Sequence, residues 1–144
     1  LNTAFEKDLD DLFYNSNNHL SLLYFDFDDL KFFNDTYGHL KGDEVLIQGS
    51  QIIKKIFGAY GSCYRIGGDE FACLSKNIDK TFFQKLKDDL KDELSTYNKE
   101  TDFTIRLSAG YAEQTPKDEK PSDLIQKADE NMYKDKVNNK AQVK

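Results

Sequence analysis

The chain is poor in several residues that would each point to a particular kind of protein. Its 144 residues include no Trp, one Met, two Pro, two Cys and only two Arg among 20 basic side chains. No apolar run approaches the roughly 20 residues of a membrane-spanning helix. The longest, residues 20–27, is interrupted by Ser21 and Asp26. Cys63 and Cys73 are too few for a disulfide framework and match no zinc spacing; a single disulfide is possible, but they read as two buried thiols. His19 and His39 are too few and too separated for a histidine-based metal site, and His39, after Gly38, reads as a turn residue. Ser, Cys and His form no arrangement for nucleophilic catalysis. The shortage of Arg leaves few planar clamps for anions, so Lys must do most anion binding. Acidic residues outnumber basic ones by 26 to 20, for a net charge of −6. That balance argues against a protein that coats DNA or RNA, where many phosphates must be neutralised. Small phosphorylated ligands stay possible, because a metal ion can bridge carboxylates to phosphates.

What is present is enough for one folded domain. Apolar residues make up 38% of the chain and aromatics 13%, sufficient for a core at this length. Leu1, Phe5, Leu9, Leu12 and Phe13 recur at helical spacing over residues 1–14, and Asn15-Ser16-Asn17-Asn18 breaks the pattern. Residues 20–26 are almost continuously apolar and predict a strand buried on both faces. A short helix is expected over 27–37, ended by Gly38-His39, and a longer one over 42–57, ended by Gly58. Residues 63–66 and 71–75 predict a hairpin around Gly67-Gly68-Asp69-Glu70, with the glycines supplying positive φ. Phe82, Phe83, Leu86, Leu90 and Leu94 mark a helix over 79–97. Period-two alternation predicts a half-buried strand over 103–110. After the loop bracketed by Pro116 and Pro121, Ser122 is expected to cap a final helix with Leu124, Ile125, Ala128 and Met132 inside. The order strand, helix, hairpin, helix, strand implies an α+β, ferredoxin-like core, a mainly antiparallel sheet flanked by helices.

Four clusters carry candidate chemistry. Asp26-Phe27-Asp28-Asp29 ends the apolar strand, and three carboxylates in four residues repel unless a cation joins them. A helix N-terminus explains Asp28 and Asp29 equally well, but explains Asp26 less well. Gly67-Gly68-Asp69-Glu70 lets backbone approach a ligand with two acids following, although such a turn alone is ordinary. If the hairpin pairs beside the first strand, Asp26 and Asp69 converge, the equipment of metal-assisted phosphoryl transfer. Lys31, Asn34, Asp35 and Asp43 form the third cluster; a carboxylate can accept from both N1–H and N2–H of a guanine edge. Helix ends would account for them too. Lys136 and Lys140, near the end of the last helix, suit phosphates or plain solvent.

These segments together resemble the GGDEF domain of diguanylate cyclases. Arg65-Ile66-Gly67-Gly68-Asp69-Glu70-Phe71 carries the signature. Residues 26–39 are similar to that family's D-x-D-x-F-K-x-x-N-D-x-x-G-H stretch, with Leu30 for Phe. Gly42-Asp43-Glu44-Val45-Leu46 matches G-D-x-x-L, Ser108-Ala109-Gly110 matches S-x-G, and residues 127–133 are similar to the helix A-D-x-A-x-Y/M-x-A-K. The resemblance implies a nucleotidyl cyclase, palm-like fold, spanning residues 1–144 as a single domain. It implies GTP as substrate and Mg²⁺ or Mn²⁺ as cofactor, held by Asp26, Asp69, Glu70 and the Phe27 carbonyl. Glu70, with Asp69 and Asp26, would be catalytic. Asn34 and Asp43 would read guanine. The N–H groups of Asp29 and Leu30 would hold phosphates with Lys31, and Lys136 and Lys140 would reach the terminal phosphates. Two GTP would condense to cyclic di-GMP and pyrophosphate across a homodimer.

Departures from the pattern qualify these expectations. Lys140 stands where Arg is expected and lacks the planar fork. Gly58-Ala59-Tyr60-Gly61 replaces the R-x-x-D of an inhibitory product site, so no product inhibition is expected there. Thr3 replaces a frequent Arg, and the D-x-L-T lead-in is missing. With Leu1 first, the segment is expected to come from a longer signalling protein carrying a sensor or regulatory domain. The domain itself is expected in the cytoplasm, with a membrane tether elsewhere left open. The alternatives are a non-catalytic module that binds GTP and regulates a neighbour, and a cyclase of relaxed base choice; Asp43 speaks against adenine.

Overall fold

The computed structural model describes residues 3–142. The expectation for Leu1 lies outside them. The chain runs α1 (Thr3–Asn15), β1 (Ser21–Phe27), α2 (Leu30–Tyr37), α3 (His39–Phe57), β2 (Ser62–Arg65), β3 (Glu70–Ser75), α4 (Lys80–Glu100), β4 (Leu107–Glu113) and α5 (Pro121–Gln142). The sheet is antiparallel throughout, in the order β2-β3-β1-β4. That is the ferredoxin-like order, with the first and third strands central. No helix among the described residues is long and apolar enough to cross a membrane.

β1 is apolar at nearly every position because it is covered twice. Leu23, Phe25 and Phe27 face one layer, where Ile53 and Phe57 of α3 and Phe83, Leu86 and Leu90 of α4 pack on them. Leu22 and Tyr24 face the other, against Phe5, Leu9 and Phe13 of α1 and Leu124, Ala128 and Met132 of α5. Each such Leu or Phe, fully buried, contributes about 1.5–3 kcal/mol. Asp26 falls on the α5 side by the same alternation.

Several boundaries differ from expectation for local reasons. Asn17 and Asn18 adopt left-handed φ of 53° and 64°, which stops α1. α2 starts at Leu30 rather than residue 27, because β1 continues to Phe27 and Asp29 turns the chain with φ 58°. Gly38, at φ 90°, closes α2 through its N–H to Asn34 O at 2.8 Å, and α3 begins at once. His39 is therefore the first residue of a helix, not part of an open turn. β4 begins at Leu107, not residue 103. Beyond the Phe27–Leu107 pair a single bond continues, Asp28 N–H to Arg106 O, and the Asn98 amide then takes both backbone groups of Ile105 at 2.8 and 3.0 Å. Phe103 instead wedges its ring against Phe33 and Tyr37. α5 starts with Pro121, well suited to a first helical position, and Ser122 is not its cap. The Asp123 carboxylate accepts the preceding N–H groups of Glu119 and Lys120 at 2.9 and 3.2 Å. Cys63 and Cys73 are free thiols facing each other across β2 and β3; Cys73 is buried and Cys63 half-buried.

Candidate active site

Three chain segments meet at one end of β1. Asp26 is its penultimate residue, and its register partners are Glu70 on β3 and Ser108 on β4. The hairpin thus brings Glu70, with Asp69 beside it, next to Asp26, the convergence expected from the sequence. α5 lies over this end and places Lys136 Nζ 2.6 Å from Asp26 Oδ2. The other oxygen, Oδ1, is buried with no hydrogen-bond partner. A hollow of about 420 Å³ opens here, lined by Asp26, Asp129, Tyr133 and Lys136 among others. A larger cleft, about 620 Å³, lies between α4 and the approach to β4, lined by Lys91, Lys99, Arg106 and Asn139 among others and by none of these acids.

Crowding of acids sets the electrostatics. Burial raises the pKa of Asp26, the Lys136 ammonium pulls it down, and Asp69 pushes it up again. Glu70 is raised by burial and then by Asp26, Asp69 and Asp129, with Lys136 acting against them. Tyr24, beneath the same acids, is pushed up to about 12 by burial, Glu70 and Asp129. Lys136 is raised, its burial outweighed by the hydrogen bond and charge of Asp26. This is a site short of positive charge.

The three acids of 26–29 part company. Asp28 is structural: its N–H donates to Arg106 O at 2.9 Å, and its carboxylate accepts from Ser108 Oγ and from Asn139 Nδ2 at 3.1 Å. Asp29 is exposed and makes no side-chain cap, its left-handed backbone starting α2. The first intrahelical bond there is Phe33 N–H to Asp29 O at 3.0 Å. The earlier N–H groups of α2, including that of Leu30, have no intrahelical acceptor, as at any helix start. Lys31 is exposed on that turn.

The signature turn corrects one expectation. Gly38 is the one glycine with positive φ among the described residues, so Gly67 and Gly68 are not required by backbone conformation. A Cβ at Gly68 would meet nothing within 4 Å, and one at Gly67 only the Glu70 side chain at 3.6 Å. Among the described residues, neither close packing nor positive φ requires either glycine. The turn is held instead by Arg65, whose Nε and Nη2 donate to Gly67 O and Gly68 O at 3.3 and 2.6 Å.

Asn34 and Gly42 are built around each other. Asn34 Oδ1 is buried without a partner, and a Cβ on residue 42 would sit 1.7 Å from it. Asp43 follows on α3, exposed. Lys140 lies one helical turn beyond Lys136, also exposed. Sequence reasoning missed Ser108 and Asn139, which fix Asp28, and Asp135, which receives the Ala109 N–H at 2.8 Å and pairs with Lys87. The unusual run of polar residues on the inner side of α5 was the available signal.

Among the described residues no three Asp, Glu, His or Cys side chains form a ready-made metal cage. Mg²⁺ seldom uses one; it takes one or two carboxylates, keeps waters and binds substrate phosphates. The unpartnered Asp26 Oδ1, with the neighbouring Asp69 and Glu70, is a hard-oxygen donor set that fits such an ion.

An antiparallel sheet with acids on its two central strands and a lysine-bearing helix above them defines a class, the palm-like domains. A family model for "Diguanylate cyclase, GGDEF domain" matches residues 1–142, and the chain belongs to that family. It is 35% identical over 124 residues to the probable diguanylate cyclase DgcI of Escherichia coli, covering 85% of this chain and 26% of that protein. It is 34% identical over 127 residues to diguanylate cyclase DgcN of the same organism, covering 81% and 29%. The chain therefore spans between a quarter and a third of these relatives. Among solved structures, the GGDEF domain of DgcB from Caulobacter crescentus, in complex with c-di-GMP, superposes with a TM-score of 0.83 at 26% identity, covering 94% of this chain and 84% of that one. The active GGEEF domain of a Vibrio cholerae diguanylate cyclase gives 0.79 at 27% identity, covering 92% and 87%.

Proposed function

We propose that this domain is a diguanylate cyclase that joins two GTP into cyclic di-GMP, releasing two pyrophosphates. The observation that carries the reading is the half-satisfied Asp26, with one oxygen on Lys136 and the other buried and unbonded, beside Asp69 and Glu70.

In this reading Asp26, Asp69, Glu70 and the Phe27 carbonyl hold a divalent cation, which supplies charge neutralisation at the triphosphate. Lys136 leaves Asp26 for the phosphates and acts there with Lys140. The free N–H groups at the start of α2, with Lys31, hold phosphate oxygens. Asn34 and Asp43 take the guanine edge. Each 3′-oxygen attacks the α-phosphorus of the opposite nucleotide as the bond to the β-phosphate oxygen breaks. Glu70, at the same edge of the sheet, receives the 3′-hydroxyl proton. One domain holds one GTP, so two must face each other, and a regulatory domain elsewhere in the protein would govern that meeting. Most of the rate gain is then positioning and electrostatics.

The test is product identity. The domain, fused to a dimerising helix, is incubated with GTP and Mg²⁺ and the products are weighed by mass spectrometry. Cyclic di-GMP is expected. GTP binding without any cyclic dinucleotide would replace this reading with a regulatory GTP-binding module, and mixed products in the presence of ATP would remove the guanine assignment of Asp43.

A further inference from the structure

α5 meets the sheet through side chains that keep step with a strand. β4 lies at the edge of the sheet, pairing with β1 on one side. On its other side Lys127 Nζ donates to Glu113 O at 2.9 Å, and Asn131 Nδ2 to Tyr111 O at 2.8 Å. Asp135 Oδ2 accepts from Ala109 N at 2.8 Å, and Asn139 Nδ2 donates to Leu107 O at 3.3 Å. The helix positions advance by four while the strand positions retreat by two. Four helical residues rise about 6 Å, and two strand residues about 6.7 Å. The two repeats therefore stay nearly in phase over all four contacts, and the long Lys127 side chain takes up the slack at one end. All four strand positions are odd-numbered, as they must be when alternate residues of an antiparallel strand turn both backbone groups the same way. Gly110 makes the approach possible: a Cβ there would lie 2.2 Å from Met132 N and 2.3 Å from Ala128 O.

We propose that this ladder sets the register of Lys136 and Lys140 over Asp26, making Asn131, Asp135 and Asn139 positioning residues for the triphosphate. The proposal rests on the cyclase reading for its substrate, and on the ladder alone for its geometry. Asn131 and Asp135 stand where the helix pattern A-D-x-A-x-Y/M-x-A-K has Ala, a residue that can make neither bond. Lys136 follows Asp135 directly, so a slip of α5 by one residue moves it about 1.5 Å along the helix axis. Its 2.6 Å bond to Asp26 does not survive such a slip.

The test uses D135A, D135N and K87M in the dimerised domain. Amide exchange followed by NMR reads the ladder, and GTP affinity together with KM and kcat reads the lysines. In D135A the Ala109 amide is expected to exchange at least tenfold faster, while Ser108 and Gly110, which face β1, keep their protection. KM and Kd for GTP rise about tenfold, with kcat within twofold. D135N keeps an acceptor for Ala109 and restores most of the affinity. K87M, which removes the neighbouring ion pair but not the ladder bond, leaves affinity within twofold. Unchanged Ala109 exchange in D135A, faster exchange with unchanged GTP affinity, or an effect of K87M equal to that of D135A would each overturn the proposal. A wild type that binds no GTP would sink the cyclase reading instead, and Ala109 exchange would still judge the ladder. If D135A does not fold, N131A replaces it, read in the same affinity assay because Asn131 bonds a carbonyl and its loss frees no amide hydrogen; unchanged GTP affinity in N131A would then overturn the proposal.

Discussion

Replacing Lys136 with Met isolates the most exposed assumption about the site, that Asp26 is waiting for a cation. The Lys136–Asp26 pair is mostly covered, with side chains 22% and 13% exposed. Removing one partner of a fully buried pair costs about 3–5 kcal/mol, because the other charge is stranded. Access to solvent at this end of the sheet reduces that to roughly 2 kcal/mol. For a domain of this size that is a fall of about 8 °C in Tm, measured in chelator. Mg²⁺ should then act in opposite proportion. In the wild type the Lys136 ammonium on Oδ2 already neutralises Asp26 and repels a second cation; in K136M that charge is gone. A metal at one hundred times its Kd stabilises by about 2.7 kcal/mol, so added Mg²⁺ should recover most of the loss in K136M and shift the wild type much less. The pH dependence has a definite sign. The Asp26 pKa is raised by burial, and losing Lys136 raises it further. A raised carboxylate costs stability above its folded pKa and costs nothing once protonated, so the gap between K136M and wild type should close as pH falls through that raised value. Equal Tm values in chelator at neutral pH, or equal responses to Mg²⁺, would refute the reasoning. The assay is thermal unfolding by circular dichroism, and it needs no turnover.

Two further outcomes follow from the same geometry. Glu70→Gln should abolish cyclic dinucleotide formation while slightly raising Tm near pH 7.5, since it removes an ionised group that burial, Asp26, Asp69 and Asp129 disfavour; that gain should fade as pH falls through the raised Glu70 pKa, as a pH series of melts will show. Gly42→Ala puts a methyl group 1.7 Å from Asn34 Oδ1, which should cost about 1–3 kcal/mol by overpacking and weaken GTP binding about tenfold by calorimetry as Asn34 is driven out.

Much of this was readable from the chain because local chemistry and fold agree. β1 was legible because a strand buried on both faces has almost no polar residues to confuse the pattern, and the one it does carry, Asp26, marked the site. The hairpin was legible from Gly67-Gly68, although for the wrong conformational reason: neither glycine has positive φ. β4 was misplaced because Phe103 and Ile105 alternate like strand residues while packing as loop residues, and the bond from Asn98 to Ile105 spans only seven positions without altering the pattern. The roles of Asp28, Asp135 and Asn139 were not legible beyond the polar run along α5. Each is fixed by a partner at least 26 residues away, and nothing in a single sequence reports which acid meets a cation and which meets a serine.

Arg65 has a consequence for the polarity of the signature turn. Its guanidinium draws in the carbonyls of both Gly67 and Gly68, so the turn's acceptors are occupied by a cation the chain already owns. The Gly67 N–H is spent as well, donating to Glu70 O at 3.4 Å, so what the tip offers to an approaching molecule is mostly bare Cα surface. In a protein of net charge −6, the guanidinium sets a positive charge within the turn that carries Asp69 and Glu70. One of only two arginines thus braces the turn that presents two of the site's acids.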